Sequence, residues 1–223
     1  MTDLHTHILP GIDDGCPNVT ESLRLLAEER AQGVDTVVLT PHFYRDREDS
    51  ESFLHRRSQA MDRLQPALPA DAPKLVLGAE TAWYPSLAED PNLEKLCLDD
   101  RGTLLLELPY TPWPVRMADW LYRFINDTGL TPILAHIERY SALQSESQFR
   151  DVVDMDLPMQ MSAGVFSSVL RRGKYLRMLY QGHWYIASDC HNLTGRPPCM
   201  DVAAAYLRRK MPRSAELMLN WQP

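Results

Sequence analysis

The stretch DLHTHILPGIDDG (residues 3–15) decides how this 223-residue chain is read. Alternation along a strand sends His5 and His7 to one side. Two imidazoles there are either polar residues on an edge strand or the first ligands of a metal site. The rest of the sequence repeats the arrangement. VDTVVLT (34–40) is followed by His42, KLVLGAE (74–80) closes on Glu80 and TLLLELP (103–109) contains Glu107. LTPILAH (130–136) ends on His136, and WYIAS (184–188) leads into Asp189 and His191. With LPMQMS (157–162) and the opening DLHTH (3–7), these make seven short apolar runs.

Helical patterns fall between them, over Val19–Gln32, Asp49–Leu68, Val115–Thr128, Phe166–Gln181 and Val202–Arg209. Leucine-rich and β-branched runs alternating with helices predict a parallel sheet covered by helices. Seven such units favour closure into a barrel, whose active-site face lies at the C-terminal ends of the strands. The ionisable residues fall at those ends. Pro66, Pro69 and Pro73 occupy a loop too short to be a linker, so residues 1–223 are read as one domain.

Composition narrows the function. An apolar share of 44% with 24% charged residues is ordinary globular usage. The formal charge of −7 argues against a nucleic-acid partner, which calls for a basic footprint. No run reaches membrane-spanning length and the N-terminus lacks signal-peptide character, so a cytoplasmic protein without direct membrane insertion is expected. Cys16, Cys97, Cys190 and Cys199 form no CxxC unit and read as free thiols.

Several separately placed nitrogen and oxygen donors at one barrel mouth point to metal. Imidazole mixed with carboxylate suits manganese, iron or zinc, and the donors outnumber the needs of one tetrahedral ion. Closely spaced ions sharing a carboxylate account for the surplus and suit phosphoryl displacement. A cysteine-phosphatase mechanism is disfavoured: Cys190 lies six residues before Arg196, with the candidate ligand His191 between them.

The segments DLHTHILPGIDDG, TPHF, GAE, LLELP, AHIERY and SDCHNLTGRPP, spanning residues 3–198, resemble the PHP (polymerase and histidinol phosphatase) family. They are most similar to its manganese-dependent protein-tyrosine phosphatases of bacterial capsule and exopolysaccharide assembly. That resemblance implies a distorted (β/α)7 PHP-type barrel related to TIM barrels, with three Mn2+ ions (Fe or Zn as alternatives). It implies one ion on His5, His7, Glu80 and Asp189, and a second on Glu80, Glu107 and His136. A third falls to Asp14, His42 and His191, with Asp13 an alternative to Asp14. Arg139 and Arg196 would fork around substrate phosphate oxygens, as guanidinium geometry allows. Phe43, Tyr110 and Trp113 are candidates to line the approach for a phosphotyrosine ring.

The implied activity is hydrolysis of phosphotyrosine by metal-activated water. The implied partner is a phosphotyrosine-bearing bacterial tyrosine kinase or polysaccharide co-polymerase, recognised through a tyrosine-rich tail. Two other readings share these residues. One is a phosphoesterase for a small metabolite resembling histidinol phosphate; the other is a noncatalytic metal-stabilised scaffold.

Overall fold

A computed structural model describes residues 1–223. Its nine strands are all paired in parallel. One sheet holds β1 (Thr2–Thr6), β2 (Thr36–Leu39) and β4 (Lys74–Leu77). The other runs β3 (His42–Phe43), β5 (Glu80–Ala82), β6 (Thr103–Glu107), β7 (Thr131–Leu134), β8 (Pro158–Ser162) and β9 (His183–Ala187).

One of the seven expected runs is broken into two strands, and another is followed by a second strand beyond its expected end. VDTVVLT continues past Pro41, which has no N–H for a ladder, into β3. KLVLGAE breaks at Gly78, where a Cβ would come within 2.5 Å of the Leu98 side chain. The pairing resumes beyond both breaks, with β3 opposite β5. The first and last strands then meet. Asp189 N donates to His5 O at 2.8 Å and His7 N donates to Cys190 O at 2.9 Å, with a parallel bridge between Thr6 and Cys190. The seven-stranded wall closes there.

Side-chain alternation divides the core. Leu4, Val38, Leu105, Ile133 and Ala187 fill the barrel interior with Leu98 and Trp221. Their neighbours Val37, Leu39, Leu104, Leu106 and Ile186 face the helices. Trp221, 4% exposed, closes the interior from the C-terminal segment. Before β6, the Asp99 carboxylate accepts from the backbone N–H of Arg101 and Thr103 and from the Thr103 hydroxyl, fixing the turn.

The helices are α1 (Val19–Ala31), α2 (Ser50–Leu64), α3 (Met117–Thr128), α4 (Glu146–Val153), α5 (Arg172–Met178), α6 (Met200–Lys210) and α7 (Ala215–Leu219). Asn18 and Asp49 cap α1 and α2 by accepting from Glu21 N and Ser52 N. The expected helix over Phe166–Gln181 shrinks to α5. Gly164 and the Ser167–Ser168 pair favour a tighter turn at its start, and Phe166 is drawn inward against Tyr206. All four cysteines are unpaired.

Candidate metal centre

Residues 7–16 build one side of the barrel mouth. Gly15 packs so closely on the end of β1 that a Cβ would lie 2.0 Å from His7 O; only glycine permits that approach. Cys16 N then donates to His7 O at 3.0 Å, which folds Asp13 and Asp14 back over the mouth. Across from them, His136 and Asp189 have positive φ values of 32° and 54°. Left-handed backbone in such residues is strained and concentrates at functional sites. Here it is tied down: His136 N donates to Gln160 Oε1 at 2.6 Å, and Asp189 N is held by the β1–β9 seam.

The fold brings nine of the sequence-selected side chains together. Glu80, 1% exposed, lies at the middle. Its Oε1 is 2.7 Å from His136 Nε2, which lies 3.5 Å from Glu107 Oε1. Its Oε2 faces His5 Nε2 at 3.2 Å, His7 Nε2 at 3.3 Å and His42 Nδ1 at 2.8 Å. None of these three nitrogens meets that oxygen at hydrogen-bonding angles, so a fully buried carboxylate oxygen stands without a partner. Asp189 Oδ1 is 3.6 Å from His5 and 3.4 Å from His7. Asp14 Oδ1 is 3.4 Å from both His42 Nε2 and His191 Nε2.

Donor atoms within 4.8 Å of one another form three groups: His7, Asp14, His42 and His191; His5, His7 and Glu80; His42, Glu80 and Glu107. His7, His42 and Glu80 are each shared between groups. Buried imidazole nitrogens converging on carboxylate oxygens without hydrogen-bond geometry fit divalent cations. The centre therefore provides several metal-binding sites.

Asp13 and Asp14 separate cleanly. Both Asp13 oxygens are engaged, by His7 Nδ1 at 2.8 Å, His42 N at 3.1 Å and Gly15 N at 3.0 Å. Asp14 keeps its carboxylate free toward His42 and His191. Burial opposes ionisation of Asp13, but the hydrogen bond and charge of His7 carry its pKa down to about 2. For Glu80, burial is outweighed by the charges of His5 and His42, and its pKa falls well below the usual range. Asp189 is lowered likewise, against burial, by His5, His7 and Arg139. His191 is brought down to about 4 by burial and by the charges of His7 and Arg196.

Arg139 and Arg196 flank the centre. Arg139 donates to Asp189 Oδ2 and to Tyr110 Oη at 3.1 Å. Arg196 reaches Asp189 Oδ1 at 2.6 Å and His191 Nε2 at 2.8 Å. Both border a cleft of about 400 Å³ that opens over His42 and Glu107 between Tyr44, Trp83 and Tyr110.

Two aromatic expectations are corrected. Phe43 is fully buried and packs on Phe53 at 5.1 Å, because alternation after His42 turns it toward the helices. Trp113, 3% exposed, lies between Tyr140 and Phe149 and donates Nε1–H to Pro109 O. Only Tyr110, 47% exposed, stands at the rim.

Sequence reasoning missed Tyr44, whose hydroxyl is 3.1 Å from His42 Nδ1; an aromatic two residues past a strand-end histidine was its only signal. It missed Gln160 as well, buried inside β8 in a run that reads as core. Glu138, beside Arg139 in sequence, accepts from Ser162 N through Oε1.

A parallel barrel with clustered imidazole and carboxylate donors at its mouth defines a metal-dependent hydrolase of the PHP type. The family model for capsular polysaccharide synthesis, CpsB/CapC, matches residues 1–222. The chain belongs to the CpsB/CapC family. It is 32% identical to the tyrosine-protein phosphatase CpsB of Streptococcus pneumoniae, over 94% of this chain and 90% of that protein. It is 30% identical to the tyrosine-protein phosphatase YwqE of Bacillus subtilis, over 88% and 79%. The fold matches a chain from the crystal structures of YwqE from B. subtilis and CpsB from S. pneumoniae, described as unique metal-dependent tyrosine phosphatases. The TM-score is 0.81 at 23% identity, covering 98% of this chain and 91% of the other. Family membership and the donor clusters together make this chain a metal-dependent phosphatase. No helix is long and apolar enough to cross a membrane.

Proposed function

We propose that the enzyme hydrolyses phosphotyrosine in proteins, acting on the tyrosine-rich tail of a polysaccharide-assembly tyrosine kinase in the cytoplasm, with residues 1–223 working as one PHP unit. The observation that carries the reading is Glu80 Oε2, buried and unpartnered among three imidazole nitrogens, with two arginines beside it. His5, His7, Glu80 and Asp189 would hold one ion, Glu80, Glu107 and His136 a second, and Asp14, His42 and His191 a third. Mn2+ is the proposed metal. Bound divalent ions supply Lewis acidity and a water acidic enough to ionise near neutral pH.

The chain's own groups do the rest. Arg139 and Arg196 present paired N–H donors where a phosphoryl group enters, and their charge favours the more anionic transition state. Tyr110, exposed at the rim of the cleft, offers a face to the substrate ring. Asp13 accepts from Nδ1 of His7 and so would leave Nε2 to a metal held with Glu80. Phenolate leaves readily, so proton donation to it is a smaller demand than orientation of phosphate.

The test is phosphate release from a phosphotyrosyl peptide and from a small alkyl phosphate, with and without Mn2+, by the parent and by Glu80→Gln. Mn2+-dependent release from the peptide, lost in Glu80→Gln together with bound metal, supports the proposal. Preference for the alkyl ester assigns the site to a small metabolite, and metal binding without turnover of either assigns it to a scaffold.

A further inference from the structure

Between Leu157 and Ser188 the chain carries no aspartate or glutamate, yet it holds Arg171, Arg172, Lys174 and Arg177. In a protein of net charge −7 this is a concentrated reversal of sign. The ion pairs nearest in sequence are Arg150–Glu146 and Arg196–Asp189, and none engages these four cations. Arg172 and Arg209 both lie over the Tyr206 ring, at 4.8 and 5.6 Å, so the end of α6 adds its charge to the same surface. The acid nearest that end, Glu216, is held by Arg208.

At the tip of this surface, in the turn closed by Arg171 N to Ser168 O, Val169 is 70% exposed and Leu170 is 96% exposed. Two adjacent aliphatic side chains this exposed bury little against the folded chain. Exposed aliphatic residues followed directly by cations without ion pairs have the chemistry of the interface of an anionic bilayer: acyl boundary for the tip, headgroup charge for the arginines and lysine. The surface also borders the mouth. Lys174 Nζ donates to Ser141 Oγ, two residues past Arg139, and Arg139 donates to Ser162 at the end of β8, from which the chain runs on to the tip.

We propose that the Val169–Arg177 surface docks the enzyme reversibly on an anionic lipid bilayer, holding the barrel mouth beside the membrane. The binding is electrostatic with shallow apolar insertion, so it requires anionic headgroups and weakens with salt.

The test is co-sedimentation of the parent, metal-loaded enzyme with phosphatidylcholine vesicles and with vesicles of phosphatidylcholine and phosphatidylglycerol, at low and high salt. Two variants accompany it, Arg171→Glu/Arg177→Glu and Val169→Ser/Leu170→Ser. Circular dichroism and turnover of a soluble substrate check that both are folded, since none of these residues belongs to the metal centre or cleft. The parent is expected to bind the anionic vesicles, with loss at high salt. Charge reversal should weaken binding roughly tenfold or more, and the serine variant should be weaker too. Equal binding to neutral vesicles, no binding to either, or unchanged binding by the charge-reversed variant overturns the proposal. Salt-sensitive capture of the parent by an acidic polypeptide but not by anionic vesicles overturns it in favour of a protein partner.

Discussion

Gln160 Oε1 lies 3.2 Å from His5 Nδ1. The same oxygen accepts from His136 N at 2.6 Å, so it accepts from His5 Nδ1–H and would leave Nε2 to a metal held with Glu80. One amide thus sets the ring state of one proposed ligand and the strained backbone of another. Gln160→Leu is expected to weaken metal retention roughly 10–100-fold while leaving the far-ultraviolet circular dichroism unchanged. Metal titration of the chelator-treated protein measures it; parent-like affinity would remove Gln160 from the positioning set.

Arg139 touches both Asp189 and Tyr110 at the rim. Arg139→Ala is expected to lower kcat/KM by roughly 10²–10³ with little change in metal content. Arg139→Lys should recover only part of this, because ammonium is a point charge without the paired donors. Steady-state kinetics with elemental analysis on the same preparations separate loss of phosphate recognition from loss of metal.

Asp99 is a source of acid sensitivity outside the centre. Burial raises its pKa, but hydrogen bonds from the backbone and hydroxyl of Thr103 lower it further, and the net shift is downward. A carboxyl depressed on folding stabilises the native state above its unfolded pKa and loses that contribution as pH falls through the folded one. The Asp99 contribution is therefore present above about pH 4 and lost below it. Melting temperatures of the parent should fall more steeply there than those of Asp99→Asn. Parallel curves would show that the turn before β6 does not titrate with stability.

Trp221 fills the barrel interior beside Leu4, Val38 and Leu105. Trp221→Ala is expected to cost about 3–5 kcal/mol, read as a lower urea midpoint at unchanged slope. An effect below about 1 kcal/mol would mean that the C-terminal segment shifts to refill the space.

Much of the barrel was legible because periodicity and burial work together. LPMQMS and TLLLELP read as strands with correct centres, and ionisable residues at run ends marked the mouth. Pattern alone did not show the breaks at Pro41 and Gly78, which arise from a missing N–H and from the Leu98 side chain. The shortened α5 escaped for a related reason: apolar spacing over Phe166–Gln181 suits a helix, but tertiary packing of Phe166 overrides it. At the site, charged types announced themselves, whereas Gln160 and Tyr44 act through single hydrogen bonds that leave no spacing. Phe43 and Trp113 show the opposite error, since aromatic residues near a mouth are more often wall than lining.

The seam between β1 and β9 links the first strand to the ninth. His5 and His7 leave the ribosome some 180 residues ahead of Asp189 and His191. No nascent chain or truncation that stops short of His191 can assemble the full set of proposed donors. Catalytic competence thus waits for β9, and turnover doubles as a report that β1 and β9 have found each other.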